Sequence, residues 1–359
     1  MGAGVMIMAG GTGGHVFPAL AVARELRERG MEVCWLGTRG GFEARVVPAS
    51  GFPMEWIEVQ GLRGGGPGRW LAAPFRLGLA MAQALGVLRR RRPGVVLGMG
   101  GFVTGPGGVM ARLLGIPLVI HEQNAIPGLT NQWLARIANQ VLEAFPGSFA
   151  PQRRARVTGN PVRSEISALP EPGERMAGRR GPMRLLVIGG SQGARALNET
   201  VPAALARMEP DARPLVRHQA GRDKQEATVA AYRAAGVEAE VQPFLADMAE
   251  AYGWADLVIC RAGALTVSEL AAAGVGAILV PFPHAVDDHQ TRNAGFLCRA
   301  GAARLLPQSG LNAQSLAQCL GELLGERGRL LAMARSARAL ARPEATAAVA
   351  DVCQQEGGR

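Results

Sequence analysis

The sequence predicts an α/β protein of two doubly wound, Rossmann-like domains facing across a cleft. Two matched openings, about half a chain apart, are the first grounds. Val5-Met6-Ile7-Met8 runs into Gly10-Gly11-Thr12-Gly13-Gly14-His15, and Leu185-Leu186-Val187-Ile188 runs into Gly189-Gly190-Ser191-Gln192-Gly193. Each reads as a buried strand, a glycine-rich turn and a helix start, where backbone N–H groups attract phosphate oxygens. The third ground is alternation. Strand-like apolar runs and Ala-rich helical stretches follow one another along the chain, as parallel sheets with helices on both faces require.

In chain order, the first helix is expected over Pro18 to Arg29, stopping at Gly30. Strand Val33-Cys34-Trp35-Leu36 follows and turns at Gly37. Later strands are Val95-Val96-Leu97 and Leu118-Val119-Ile120. The second half offers Leu185 to Ile188, Leu215 to His218, Leu257-Val258-Ile259 and Ala277 to Val280. The boundary is expected near Gly159-Asn160-Pro161-Val162-Arg163, giving domains 1–162 and 163–342. Pro170 to Pro182, rich in Pro, Gly and charge, reads as an exposed linker. A last helix after Pro343, within 343–359, could pack on either domain.

The 359 residues suffice for two full cores. Residues 1–160 hold 17 Arg and eight Glu with no Asp or Lys, a net +9, whereas the rest is close to neutral at +1. A basic first half suits an anionic partner: a membrane surface, nucleic acid or a phosphorylated substrate. Arg-rich composition competes as an explanation, since Lys224 is the only lysine, but leaves the asymmetry unexplained. Five scattered cysteines without a Cys-x-x-Cys suggest a reduced, cytosolic protein with no structural zinc. No signal peptide is evident at the start. The uncharged stretch 93–111 contains seven glycines and two prolines, so it reads as strand and loop rather than a membrane span.

Ligands of open α/β sheets sit beyond the C-terminal ends of strands, so the loops there carry the chemistry. His15 follows the first glycine turn. His121-Glu122-Gln123-Asn124 follows strand 118–120 as a polar loop. With no Asp in residues 1–160, a general base from that half is Glu or His. Gly98-Met99-Gly100-Gly101-Phe102-Val103-Thr104-Gly105-Pro106-Gly107-Gly108 permits close backbone approach to a ligand, or is merely a flexible loop. Strand 257–259 leads into Cys260-Arg261-Ala262-Gly263-Ala264-Leu265-Thr266-Val267-Ser268-Glu269. Here Thr266-x-x-Glu269 fits a helix capping box, while the Glu269 carboxylate equally suits ribose hydroxyls. Asp287, Asp288 and His289 lie in a polar loop that could bind a metal, though a solvated loop is the plainer reading.

Trp70 to Leu88 carries more apolar residues than one buried helix face needs, and Arg89-Arg90-Arg91-Arg92 follows at once. Leu71, Phe75, Leu79 and Leu85 with Arg89 to Arg92 fit interfacial association with anionic lipid, and burial against a sheet is the alternative.

The ordered set Gly10 to His15, Gly98 to Phe102, His121 to Asn124, Gly159 to Arg163, Gly189 to Gly193 and Arg261 to Glu269 resembles the bacterial peptidoglycan glycosyltransferases. Those enzymes act on undecaprenyl-diphosphate-muramoyl-pentapeptide, lipid I. The resemblance runs from about Met6 to the C-terminal helix. It implies a GT-B type inverting transferase that moves N-acetylglucosamine from UDP-N-acetylglucosamine to lipid I, making lipid II. It implies a peripheral place on the cytoplasmic face of the inner membrane, an anionic membrane surface as partner, and no nucleic acid. It carries donor-binding roles to Thr12, Gly13, Gly14, Asn124, Arg163, Ser191, Phe244, Leu245, Ala264, Leu265, Thr266, Val267, Ser268, Glu269 and Gln290. Glu269 then takes the ribose, and Phe244 and Leu245 flank the uracil. The stretch 283–290 varies in length within the family, so its contact falls to Gln290 or His289.

The implied chemistry needs a base for the muramoyl 4-hydroxyl, His15 or Glu122. Backbone donors at 189–193 and near Ala264 would stabilise the departing diphosphate. No Asp-x-Asp clamp occurs, so no metal site and no tightly bound cofactor is expected. A UDP-N-acetylglucosamine epimerase on the same double fold, or a non-catalytic nucleotide-sugar-binding membrane adaptor, are the alternatives.

Overall fold

The structure, a computed structural model, describes residues 4–59, 67–190, 193–283, 285 and 288–358, with the side chains of 67–72 outside that description. The chain divides into two compact units, Met1–Val162 with Arg342–Arg359, and Arg163–Ala341.

The first unit holds seven parallel strands: β1 (Val5–Met8), β2 (Val33–Gly37), β3 (Met54–Trp56), β4 (Val95–Gly98), β5 (Leu118–Glu122), β6 (Gln140–Glu143) and β7 (Arg156–Val157). Their spatial order is β3-β2-β1-β4-β5-β6-β7. Its helices within the first 162 residues are α1 (Gly13–Glu28), α2 (Glu43–Ala49), α3 (Pro67–Arg91), α4 (Thr104–Leu113) and α5 (Leu129–Leu134). Side chains alternate across the sheet. Val5, Ile7, Val95 and Leu97 pack with Val16, Leu20 and Ala23 of α1. Met6, Met8, Val96 and Leu118 pack with Ala84, Val87 and Leu88 of α3 and Met110 of α4. Both faces are covered, which is why the strands read as unbroken apolar runs.

The first helix begins at Gly13, five residues before the expected Pro18. Glycine and proline inside a helix cost about 1 and 3 kcal/mol. Burial of Val16, Ala19, Leu20, Val22, Ala23 and Leu26 outweighs this, since each larger aliphatic side chain contributes roughly 1.5–3 kcal/mol. His15 therefore stands in the first turn of α1 rather than in the loop before it.

The second unit holds six parallel strands: β8 (Arg184–Ile188), β9 (Leu215–Gln219), β10 (Glu240–Gln242), β11 (Leu257–Cys260), β12 (Gly276–Leu279) and β13 (Ala303–Leu305). Their order is β10-β9-β8-β11-β12-β13. The helices are α6 (Ser164–Ser167), α7 (Pro172–Met176), α8 (Arg195–Ala206), α9 (Gln225–Ala234) and α10 (Met248–Trp254). They continue with α11 (Ala264–Ala273), α12 (His289–Arg299), α13 (Ala313–Leu324) and α14 (Arg327–Ala339). Leu185, Val187, Leu257 and Ile259 meet Leu197 and Val201 of α8 and Leu316 and Leu320 of α13 in one core.

The segment Pro170 to Pro182 is not a free linker. It contains α7, and Arg175 donates to the carbonyls of Ala273 and Gly274, both at 2.5 Å, at the end of α11. Arg179 pairs with the buried carboxylate of Asp256, which also accepts from the Arg184 N–H at 2.9 Å. Helix-end carbonyls need such donors, and charge here supplies them. The last helix, α15 (Ala345–Gly357), joins the first unit, where Val349, Ala350, Val352 and Cys353 enter the core around Val5 and Val95.

In each sheet the strand order reverses once, between β1 and β4 and between β8 and β11. Crevices at the strand C-termini beside such a reversal are where ligands collect in this class of sheet.

Candidate functional site

In the first unit the reversal point brings two glycine turns together. The Gly10 N–H donates to the Gly100 carbonyl at 3.3 Å. Gly100 and Gly101 have φ of +99° and +88°, which only glycine adopts without strain. A Cβ on Gly101 would stand 2.5 Å from the Gly10 oxygen, and one on Gly100 would stand 2.7 Å from Nδ1 of His15. The glycines at 98–108 thus serve a fixed close approach, and the imidazole of His15 rests directly on that backbone.

His15 is half-buried, and its Nδ1 lies 2.7 Å from Oε1 of Gln123. Nε2 of Gln123 lies 3.0 Å from Nδ1 of His121, whose Nε2 lies 2.9 Å from the Gly159 carbonyl oxygen. β5 runs on through Glu122, so His121 and Glu122 are buried strand residues rather than members of a polar loop. Register explains this, since both still pair with β6 at Leu142 and Glu143.

Glu122 is 1% exposed. Its Oε1 accepts from the Asn124 N–H at 2.9 Å and the Asn124 side-chain amide at 3.1 Å. Its Oε2 accepts from the Gly128 N–H at 3.1 Å and the Asn131 amide at 2.9 Å. A carboxylate offers about four lone-pair sites, and here all are occupied. Glu122 builds the loop that carries Asn124. Glu43, which sequence reasoning missed, does the same for the first turn: fully buried, it accepts from the backbone N–H groups of Gly11 at 3.0 Å and Thr38 at 2.9 Å. Its only signal was a lone acid beside Gly40-Gly41. Thr12 is the N-cap of α1, and Gly13 and Gly14 form its first residues. Beside them a cavity of about 860 Å³ is lined by Gly11, Arg39, Phe42, Trp56, Arg76, Leu79 and Phe102, among others.

In the second unit the reversal point is the start of α11. Gly263 is the N-cap, with no side-chain cap. Thr266 lies inside the helix, so the capping-box alternative for Thr266 and Glu269 fails. Glu269 is 5% exposed. Its carboxylate accepts from Nη2 of Arg163 at 2.9 Å and from the Tyr252 hydroxyl at 3.1 Å. Burial pushes its pKa up, and Arg163 and then Tyr252 oppose that without cancelling it. Ala264 and Val267 are buried, while Leu265, Thr266 and Ser268 are half-buried. Ser268 donates to the Ala264 carbonyl at 3.0 Å. Phe244 is 53% exposed beside the buried Leu245. Gln290 accepts from the Phe282 N–H at 2.9 Å, in the first turn of α12. Ser191 lies outside the described residues.

Comparison with known proteins now decides the family. Residues 5–143 match the glycosyltransferase family 28 N-terminal domain, and residues 184–353 match the glycosyltransferase family 28 C-terminal domain. A UDP-N-acetylglucosamine–N-acetylmuramyl-(pentapeptide) pyrophosphoryl-undecaprenol N-acetylglucosamine transferase of Marinobacter nauticus is 60% identical over 97% of this chain and 96% of its own. The enzyme of the same name from Methylococcus capsulatus is 59% identical over 99% of both chains. The crystal structure of Acinetobacter baumannii MurG matches with a TM-score of 0.88 at 44% identity, covering 98% of this chain and 99% of that one. This chain belongs to glycosyltransferase family 28. It is a hexosyltransferase with two Rossmann-like domains, the GT-B type of fold.

In this family 28 enzyme the long helix α3 has two apolar faces. Ala80, Ala84, Val87 and Leu88 are buried, the last three in the core that holds Met6, Val96 and Leu118 of the sheet. Phe75 is 79% exposed, Leu77 48% and Leu79 41%, while Leu85 is half-buried. The side chain of Leu71 lies outside the described residues. Arg89, Arg90, Arg91 and Arg92 are all exposed, but Arg90 and Arg91 are tied to Glu55 at 2.5 and 2.6 Å. The basic run therefore offers less net charge than four arginines suggest. Among the described residues no helix is long and apolar enough to cross a membrane.

Proposed function

We propose that this chain transfers N-acetylglucosamine from UDP-N-acetylglucosamine to the muramoyl 4-hydroxyl of lipid I, forming lipid II for peptidoglycan synthesis. The observation that carries this is the match, at 59–60% identity over nearly the whole chain, to transferases named for that donor and acceptor. The epimerase and adaptor alternatives have no support of that kind.

The first unit takes the acceptor. The hydroxyl oxygen attacks C1 of the sugar from the face opposite UDP, the bond from C1 to the diphosphate oxygen breaks, and configuration inverts. The hydroxyl proton passes to His15, because Glu122 has no lone pair to offer. The second unit takes the donor. Glu269, steadied by Arg163 and Tyr252, accepts from the ribose hydroxyls, and Phe244 and Leu245 flank the uracil. Departing diphosphate charge falls on the N-terminus of α11, where helix N–H groups and the dipole favour an anion. Ser191, Gln290 and residues 264–268 complete the donor contacts of the second unit, and Thr12, Gly13, Gly14 and Asn124 are the candidate contacts in the first. The exposed face of α3 rests on the anionic inner leaflet, which makes the enzyme peripheral at the cytoplasmic side.

Purified protein with labelled UDP-N-acetylglucosamine and a short-chain lipid I analogue tests the reading. Label should enter the lipid product only when the acceptor is present. Conversion of the donor without acceptor would favour the epimerase, and saturable binding without turnover the adaptor.

A further inference from the structure

Three side chains of the first unit form a line that ends on His15, and their protons can be placed in one way only. His121 is fully buried, and burial pushes its imidazole down to about 4 against weaker opposition from the Gly159 carbonyl and Glu122. The ring is therefore neutral near pH 7 and carries one N–H. A carbonyl oxygen only accepts, so that proton sits on Nε2, 2.9 Å from the Gly159 oxygen. Nδ1 of His121 then only accepts, and the group 3.0 Å away is the NH2 of Gln123. The same NH2 donates to the His121 carbonyl at 3.1 Å, which agrees.

The far end of Gln123 is thereby fixed. Its oxygen faces Nδ1 of His15 at 2.7 Å and can only accept, so His15 carries its proton on Nδ1. Turning the amide over would place its oxygen against His121 and demand two protons on a ring whose burial opposes charge. Backbone anchors hold the line. The Asn160 amide donates to the Gln123 carbonyl at 3.0 Å, and the Asn131 amide donates to the His121 carbonyl at 3.2 Å.

We propose that Gln123 and His121 are positioning residues that lock His15 in its Nδ1–H tautomer and so present the Nε2 lone pair as the base. The proposal rests on the reading of His15 as base. Free histidine side chains favour the opposite tautomer, with a proton on Nε2 and no lone pair there. Which nitrogen is free is set by the bond the other nitrogen makes. Unlike a carboxylate in this place, an amide orients the ring without adding charge beside it.

The test is the full chain labelled with ¹⁵N-histidine, its ring signals assigned by single histidine substitutions and read by long-range ¹H–¹⁵N correlation at pH 7.5. His15 should show the Nδ1–H pattern and His121 the Nε2–H pattern. Gln123→Met, similar in shape but unable to make either bond, should shift His15 toward Nε2–H. Its kcat should fall about ten- to a hundredfold, with KM for UDP-N-acetylglucosamine within about twofold. A merely structural Gln123 would lower the melting temperature without moving the tautomer. Parent His15 protonated on Nε2 overturns the proposal, and that spectrum needs no variant to fold. So does a Gln123→Met kcat within about twofold of the parent. Parental turnover in His15→Ala would instead overturn the base reading, while the spectra still report the tautomer.

Discussion

Glu269 ties Arg163 to Tyr252 in the fold and, in the proposed reading, also holds the donor, and the two services can be separated. Removing its carboxylate strands the buried Tyr252 hydroxyl and frees Arg163. An unsatisfied buried group costs about 1–3 kcal/mol, and loss of a charged hydrogen bond to ligand about 1.5–3 kcal/mol. Glu269→Ala should therefore lower the melting temperature and also weaken UDP-N-acetylglucosamine by about ten- to a hundredfold. Tyr252→Phe should lower the melting temperature with little change in donor dissociation constant. Equal donor affinity in Glu269→Ala and the parent would sink the ribose assignment. His15→Ala should leave donor affinity intact and cut turnover by about 10²–10⁴-fold. The place of His15 beside the first unit's glycine turns was legible because it directly follows a glycine turn that ends a strand. Gln123 was not, because its bond to His15 spans 108 residues of sequence. Glu122 looked like a candidate base for the same reason in reverse: four local donors that saturate it only meet once β5 and its loop are built.

At the scale of the element, α3 poses the sharpest question. An apolar face with Phe75 and Leu79 exposed is unusual on a helix whose other face already has a core. Each arginine near an anionic surface adds about 1 kcal/mol, which salt screens. Replacing Phe75 by Ser and Arg89 and Arg92 by Gln spares the Glu55 ion pairs. This triple variant should co-sediment less with anionic vesicles than the parent, and the gap should close as salt rises. Activity on a water-soluble acceptor should persist. Vesicle binding equal to the parent would place the docking surface elsewhere. The central strands were readable because burial on both faces makes them continuous apolar runs. The flanking strands β3, β7, β10 and β13 were not, being two or three residues long and carrying Glu55, Arg156, Glu240 and Arg304. Such short charged strands are how sheets blunt their edges, and they leave no periodic trace. Residues 170–182 misled for a related reason. Arginines that cap buried carbonyls look, in sequence, like arginines that face water.

At the scale of the molecule, the charge asymmetry survives folding: the arginine-rich stretch belongs almost wholly to the unit proposed to hold the lipid-linked acceptor. That unit is also discontinuous. Its sheet is laid down by residues 5–157, yet α15 completes one face, burying Val349, Ala350, Val352 and Cys353. A chain ending at Ala341 should expose that face and aggregate or melt well below the parent, whereas residues 163–341 alone should unfold cooperatively. Equal melting of parent and truncated chain would show α15 to be dispensable. The order of events on the ribosome follows. At about 5–20 residues per second, the strands of the first unit wait on the order of 10–40 s for their last helix while the second unit is made. The second unit, unbroken in sequence, can close first. Synthesis begins and ends with the first unit while the second can fold in between, so a chaperone that shields apolar sheet should be found on this nascent chain chiefly during that interval.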